Sequence, residues 1–231
     1  VEDCALLLAA LEGGRAADLR GAGLAGLRLA RLVTVAQDDL RADPAAGFDD
    51  AAGRLARAGA RIVDLRLAAV AEAVALSGTL FAPEAYGVWG ATIEAEPDRM
   101  FPPVLERFRS GARVGAAGYV AGWRRMEALR AEWQAATAGF DAVILPTSAI
   151  LPPDARRLLD DPAYFAAENL LALRNTRIAN LFGLCALTLP TGRLSCGISL
   201  MAAPRQEERL LRIGAAAERA PISSAIITPT V

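Results

Sequence analysis

Asp141–Pro146 reads Asp-Ala-Val-Ile-Leu-Pro (DAVILP), and this short apolar run sets the architecture. A continuous apolar stretch too short for a helix, bounded by a turn-forming acid and a proline, is the pattern of a strand covered on both faces. Such a strand needs helices above and below it. Working outward, Leu27–Val35 (LRLARLVTV) and Arg61–Leu67 (RIVDLRL) alternate apolar and polar residues, as half-buried strands do. Between them Asp43-Pro44 opens a helix to about Ala58, with proline in a tolerated first-turn position and Gly59 as the stop. Strand, helix, strand is the rhythm of an α/β fold, here expected as a mixed sheet flanked by helices.

The remaining segments fit that frame. Val1–Leu11 is expected to be helical, with Glu2 and Asp3 at its positive end and Gly13-Gly14 as its stop. Ala68–Leu80, Pro83–Ala95 and Pro102–Arg109 read as separate, punctuated helices. In Gly115–Ala138 the residues Tyr119, Trp123, Met126, Leu129 and Trp133 recur at three- and four-residue steps, a core-facing helix stripe. Leu151-Pro152-Pro153 forces an extended loop. A helix over Pro162–Leu181 is followed by Gly183, a strand at Ala186–Leu189, a turn at Gly192–Ser195, a strand at Gly197–Ala202 and a closing helix at Arg205–Ala220. Nothing divides the chain into independent domains, and 221–231 reads as a tail.

Composition excludes more than it selects. The 231 residues carry 25 Lys+Arg, all of them Arg, and no His, against 26 acidic residues. A Ser–His–Asp triad, a Cys–His pair, a Schiff-base lysine and a histidine metal site are therefore excluded. Interspersed charges and a net charge of −1 argue against direct nucleic-acid binding and against a polybasic membrane anchor. No apolar run reaches the roughly 20 residues of a membrane span. Three scattered cysteines without CxxC spacing read as reduced thiols, and the expected location is cytoplasmic. The acidic pairs Asp38-Asp39, Asp49-Asp50 and Asp160-Asp161 read as helix caps and solvated charge rather than a metal site.

Four ordered segments carry a resemblance. They are Val1–Gly13 (VEDCALLLAALEG), Phe140–Pro153 (FDAVILPTSAILPP), Asn175–Pro204 (NTRIANLFGLCALTLPTGRLSCGISLMAAP) and Arg205–Glu218 (RQEERLLRIGAAAE). In order and spacing they resemble the C-terminal half of the amidase signature family, whose members cleave carboxamide C–N bonds. The resemblance implies an α/β fold with residues 1–220 as the C-terminal part of one amidase domain. It implies a mechanism with a nucleophilic Ser, a second Ser on a cis peptide and a Lys that works through it, requiring neither metal nor cofactor. Backbone N–H groups of a Gly/Ser-rich loop would form the oxyanion hole. In the family these groups precede the region that this chain resembles, so no catalytic residue is expected among the 231. The expected partners are an N-terminal catalytic half of the same protein and a small-molecule amide, with a homodimer also compatible.

What this half would supply is pocket shape. Thr147 follows a strand end, where open α/β sheets place ligand-binding residues, although its hydroxyl would serve equally to cap the turn. Asn180 either meets the substrate amide or fixes a loop, and Thr176 shares its helix face one turn earlier. Arg174 is a candidate clamp for a substrate carboxylate, weighed against a solvated surface role. Tyr86, with Trp89 three residues on, is a candidate for the pocket mouth, weighed against core packing. Leu173 stands where the A subunits of glutamine-specific amidotransferases carry an Asp. That departure favours a stand-alone amidase or urea-derivative hydrolase over the A subunit of a tRNA-dependent amidotransferase. A non-catalytic binding or scaffolding module derived from an amidase is the other reading.

Overall fold

The computed structural model describes residues 1–220; the expected tail lies outside the described residues. In chain order the strands are β1 (Arg28–Leu32), β2 (Arg61–Leu65), β3 (Ala142–Pro146), β4 (Cys185–Pro190) and β5 (Gly197–Ala202). They form one sheet in the order β2-β1-β3-β5-β4. β1 is parallel to both β2 and β3, whereas β5 runs antiparallel to β3 and to β4. The sheet is thus mixed, and β3 stands where its parallel and antiparallel halves meet.

The helices are α1 (Glu2–Glu12), α2 (Ala42–Arg57), α3 (Ala69–Ala95), α4 (Pro102–Arg109), α5 (Ala116–Thr137), α6 (Ala155–Asp160), α7 (Pro162–Phe182) and α8 (Glu207–Glu218). They sandwich the sheet, which is why β3 has no polar interior position. Ala142 and Ile144 face Phe48 and Leu55 of α2 and Leu210 and Ile213 of α8. Val143 and Leu145 face Val70 of α3, Met126 and Trp133 of α5, and Ile178 and Phe182 of α7. Every residue of β3 is buried. The stripe on α5 enters this second core at Met126, Leu129 and Trp133, and Trp133 stacks 4.7 Å from Phe182. α1 lies on α8, with the Val1 ammonium on Glu218 at 3.1 Å.

One expectation changes, and one short helix is added. The segments Ala68–Leu80 and Pro83–Ala95 form one continuous helix, α3, with Pro83 inside it. Proline there removes one helix hydrogen bond and crowds the preceding turn. Burial outweighs that cost: Leu80 is fully buried, and the 3-10 turn Ser110–Arg113 packs so closely that a side chain at Gly111 would strike the Ala82 carbonyl. Beyond the Pro152-Pro153 loop, α6 is a short helix capped by the Asp154 carboxylate, which accepts from Arg157 N–H at 2.7 Å. Among the described residues no helix is long and apolar enough to cross a membrane.

Candidate functional site

The C-terminal ends of β1 and β3 lie side by side, and the loops leaving them are held by the buried face of α7. β1 runs into the 3-10 turn Val35–Gln37; β3 runs into Thr147–Ile150. Asn175, fully buried on α7, donates through Nδ2 to the Ala36 carbonyl at 2.9 Å and to the Pro146 carbonyl at 2.7 Å. One side chain therefore ties both strand exits together and satisfies two carbonyls that leave the sheet without a ladder partner.

Seven residues earlier on the same face, Glu168 makes the second tie. Its side chain is 5% exposed and is ion-paired to Arg41, whose own backbone N–H donates to the Ala149 carbonyl at 3.0 Å. Glu168 Oε2 is buried without a hydrogen-bond partner among the described residues. Arg174 closes the group. It donates to the Asp38 carbonyl and, at 3.3 Å, to Asn175 Oδ1. Burial pulls the Arg174 guanidinium below its ordinary pKa, and Asp38 and Asp39 draw it partly back. Asp161 caps α7 by accepting from Tyr164 N–H at 3.0 Å, which anchors the helix that carries all three ties.

Beside this clamp a row of hydroxyls crosses the antiparallel half of the sheet. Thr147 Oγ1 is 2.8 Å from Ser199 Oγ, and Ser199 Oγ is 3.0 Å from Thr188 Oγ1. Ser199 is buried, while Thr188 lies on β4 and is exposed. A Cβ on Gly197 would come within 2.8 Å of Thr147 Oγ1 and 3.0 Å of Thr188 Cγ2, so the hydroxyl row requires glycine there. β4 is the outer strand of the described sheet, and Ala186 and Thr188 present its open face.

The five sequence candidates do not form one constellation. Thr147 and Arg174 stand at the strand-exit cluster. Thr176 is exposed and turns its hydroxyl back to the Leu173 carbonyl at 3.2 Å. Asn180 is exposed; the loop-fixing role considered for it is performed by Asn175. Tyr86 sits in the second half of α3, where its hydroxyl donates to Glu94 Oε1 at 3.3 Å beside the Glu94–Arg109 pair, and Trp89 is exposed. Sequence reading passed over Asn175, Glu168, Arg41, Ser199 and Thr188. The signal available was phase: Asn175 falls in the apolar register of α7 with Ile178, Ala179 and Phe182. Cys185 donates to the Ala203 carbonyl at 3.2 Å, and burial pushes both its thiol and that of Cys196 up. A cleft of about 460 Å³ lies at the opposite end of the sheet, between α8 and the Gly21–Leu27 loop.

An α/β/α sandwich with a mixed sheet and loops gathered at parallel strand exits defines a class of folds that hold ligands at that edge. The family model described as Amidase matches residues 1–211, and the chain belongs to the amidase family. It is 34% identical over 196 residues to the 2-amino-5-chloromuconic acid deaminase of Comamonas testosteroni, covering 81% of this chain and 42% of that protein. It is 25% identical to the A subunit of the glutamyl-tRNA(Gln) amidotransferase of Rhodococcus erythropolis, covering 95% of this chain and 49% of that one. The chain thus spans less than half the length of these curated relatives. Kluyveromyces lactis allophanate hydrolase shares the fold with a TM-score of 0.73 at 16% identity, over 90% of this chain and 34% of that one.

Proposed function

We propose that these residues form the substrate-pocket half of an amidase that hydrolyses a carboxamide C–N bond, and that the Ser, cis-Ser and Lys of the family mechanism are supplied by an N-terminal half of the same protein. One observation carries the reading: the chain belongs to the amidase family, yet none of its 231 residues is Lys or His. Burial pushes the thiols of half-buried Cys185 and buried Cys196 up from their ordinary value, away from the reactive thiolate, and no Lys or His is present to activate them. Residues 1–220 are then one part of a single domain.

Within that domain Thr147 and Arg174 wall the acyl side of the pocket. Thr147 is aligned by Ser199, and Arg174 presents a guanidinium whose remaining N–H groups suit a carboxylate on the substrate. A carboxylate-bearing substrate is in keeping with the Comamonas relative, whose name describes deamination of a muconic acid. Thr176, Asn180 and Tyr86 would lie outside the contact surface. The open face of β4 is the surface on which the catalytic half would pack.

Ammonia release tests the reading. The 231-residue chain incubated with simple carboxamides should release none, and addition of a catalytic half carrying the Ser–Ser–Lys set should restore turnover. Turnover by the chain alone that survives rigorous purification would overturn it. The tRNA-amidotransferase alternative requires glutamine-dependent activity in the same assay, and a scaffolding module requires silence in both.

A further inference from the structure

We infer that the cleft at the base of the sheet, remote from the strand exits, is a binding site for a small polyanion carrying carboxylate or phosphate oxygens. The cleft has a volume of about 460 Å³ and is walled by Arg205, Arg209 and Arg212 on one side and the Gly21–Gly23 backbone on the other. It faces the start of β3, because Arg209 pairs with Asp141, the residue that precedes that strand. Thr147 leaves the other end of the same strand. This site is therefore separate from the proposed amide pocket and does not depend on that reading.

The charges that line the cleft do not cancel. Three guanidinium groups stand against one lining carboxylate, that of Glu208. Arg209 is neutralised by Asp141, whereas Arg212 donates to the Asp18 and Arg20 carbonyls, which fix its direction, and the nearby Asp18 carboxylate is itself held by the Arg20 guanidinium. Arg205 has no ion pair or side-chain hydrogen bond among the described residues, and its backbone is left-handed, with φ 62°. A bulky residue in that conformation is uncommon and is held there by the chain around it. Spacing of three residues brings Arg209 and Arg212 to one side of α8, and Arg205, two residues before that helix begins, lines the same cleft. Ala22 and Gly23 line the same cleft, their backbone N–H groups make no hydrogen bond among the described residues, and nothing lies within 4 Å of where a side chain would start at Gly21 or Gly23. Leu27 and Ile213 line the cleft as its apolar part. Directed guanidiniums, open amides and room for several heavy atoms suit an anion with spaced oxygens better than a single halide.

Calorimetric titration of the 231-residue chain with citrate and, separately, with inorganic phosphate tests this at low ionic strength. At least one is expected to saturate a single site. Citrate alone identifies a polycarboxylate site and phosphate alone a phosphate site. Arg205→Gln should weaken binding about tenfold, the effect of losing one charge-assisted contact, while leaving the ligand-free melting temperature unchanged. Arg212→Lys, which keeps the charge but not the planar fork, should weaken it less than Arg212→Gln. No saturation by either anion, or equal binding by the Arg205→Gln protein, would overturn the assignment.

Discussion

Asn175 follows Pro146 by 29 positions in the chain and donates to its carbonyl at 2.7 Å, while the same amide nitrogen reaches the Ala36 carbonyl. The helix interior thus fixes the distance between two strand exits. Replacing Asn175 by Leu keeps the branched shape of the side chain and abandons both carbonyls in a dry environment. A loss of about 1–3 kcal/mol is expected, measured as a lower midpoint in denaturant unfolding. Asn175→Asp should be worse than Leu, because it sets a buried carboxylate against the two carbonyl oxygens. Equal stability of all three proteins would remove Asn175 from this role.

Arg41 and Glu168 should behave as a pair of unequal members. Glu168 is almost fully covered and Arg41 is about half exposed. Arg41→Ala leaves a buried charge without its partner and should cost roughly 3–5 kcal/mol. Combining it with Glu168→Leu should recover a large part of that loss, which a double-mutant cycle reads directly.

Acid sensitivity should trace in part to the cap of α7. The Tyr164 N–H and then Arg157 hold the Asp161 carboxyl below its ordinary value. A depressed carboxyl contributes stability that is fully present above the unfolded value, about 4, and is lost as the pH falls through the folded value. Asp161→Asn retains an accepting oxygen without titrating. Its melting temperature should therefore fall less steeply than that of the parent below about pH 4. Asp161→Ala should melt about 2–4 °C lower at neutral pH. Parallel acid limbs for the parent and the Asn protein would contradict the assignment.

Two glycines should differ in severity. An alanine methyl at Gly111 meets the backbone of Ala82, which cannot move without breaking α3, so soluble expression should collapse. At Gly197 the obstacles are the ends of the Thr147 and Thr188 side chains. Gly197→Ala should fold, lose about 1–3 kcal/mol and turn the Thr147 hydroxyl away from Ser199. On the proposed reading, in which Thr147 walls the substrate pocket, an amidase reconstituted with the Gly197→Ala chain should show a raised KM.

Local chemistry wrote most of the fold into the sequence. DAVILP needed only its apolar continuity to be placed as the central strand, and Gly13, Gly59 and Gly183 end their segments through a positive φ. Pro83 misled because its cost is local, whereas the compensation comes from Gly111, 28 positions away in the chain. The site divided the same way. Thr147 was legible as the residue after a strand. Asn175, Glu168 and Ser199 were not, because their partners belong to other elements: Ala36 and Pro146, Arg41, and the hydroxyls of Thr147 and Thr188. A polar residue in an apolar register marks such a position but does not name what it holds.

The union of parallel and antiparallel halves at β3 also governs the order in which the molecule can assemble. β4 and β5 are joined by the short loop 191–196 and can pair as soon as both are synthesised. Arg28 and Asp141, bonded where β1 meets β3, are 113 positions apart, so this side must close a long loop before any contact rewards it. Pulse-labelled hydrogen exchange during refolding should find Leu187–Leu200 protected ahead of Leu29–Ala142. Until that late docking, β3, the most water-averse strand among the described residues, has only one neighbour, and the nascent chain is most prone to stick to its own kind in that interval.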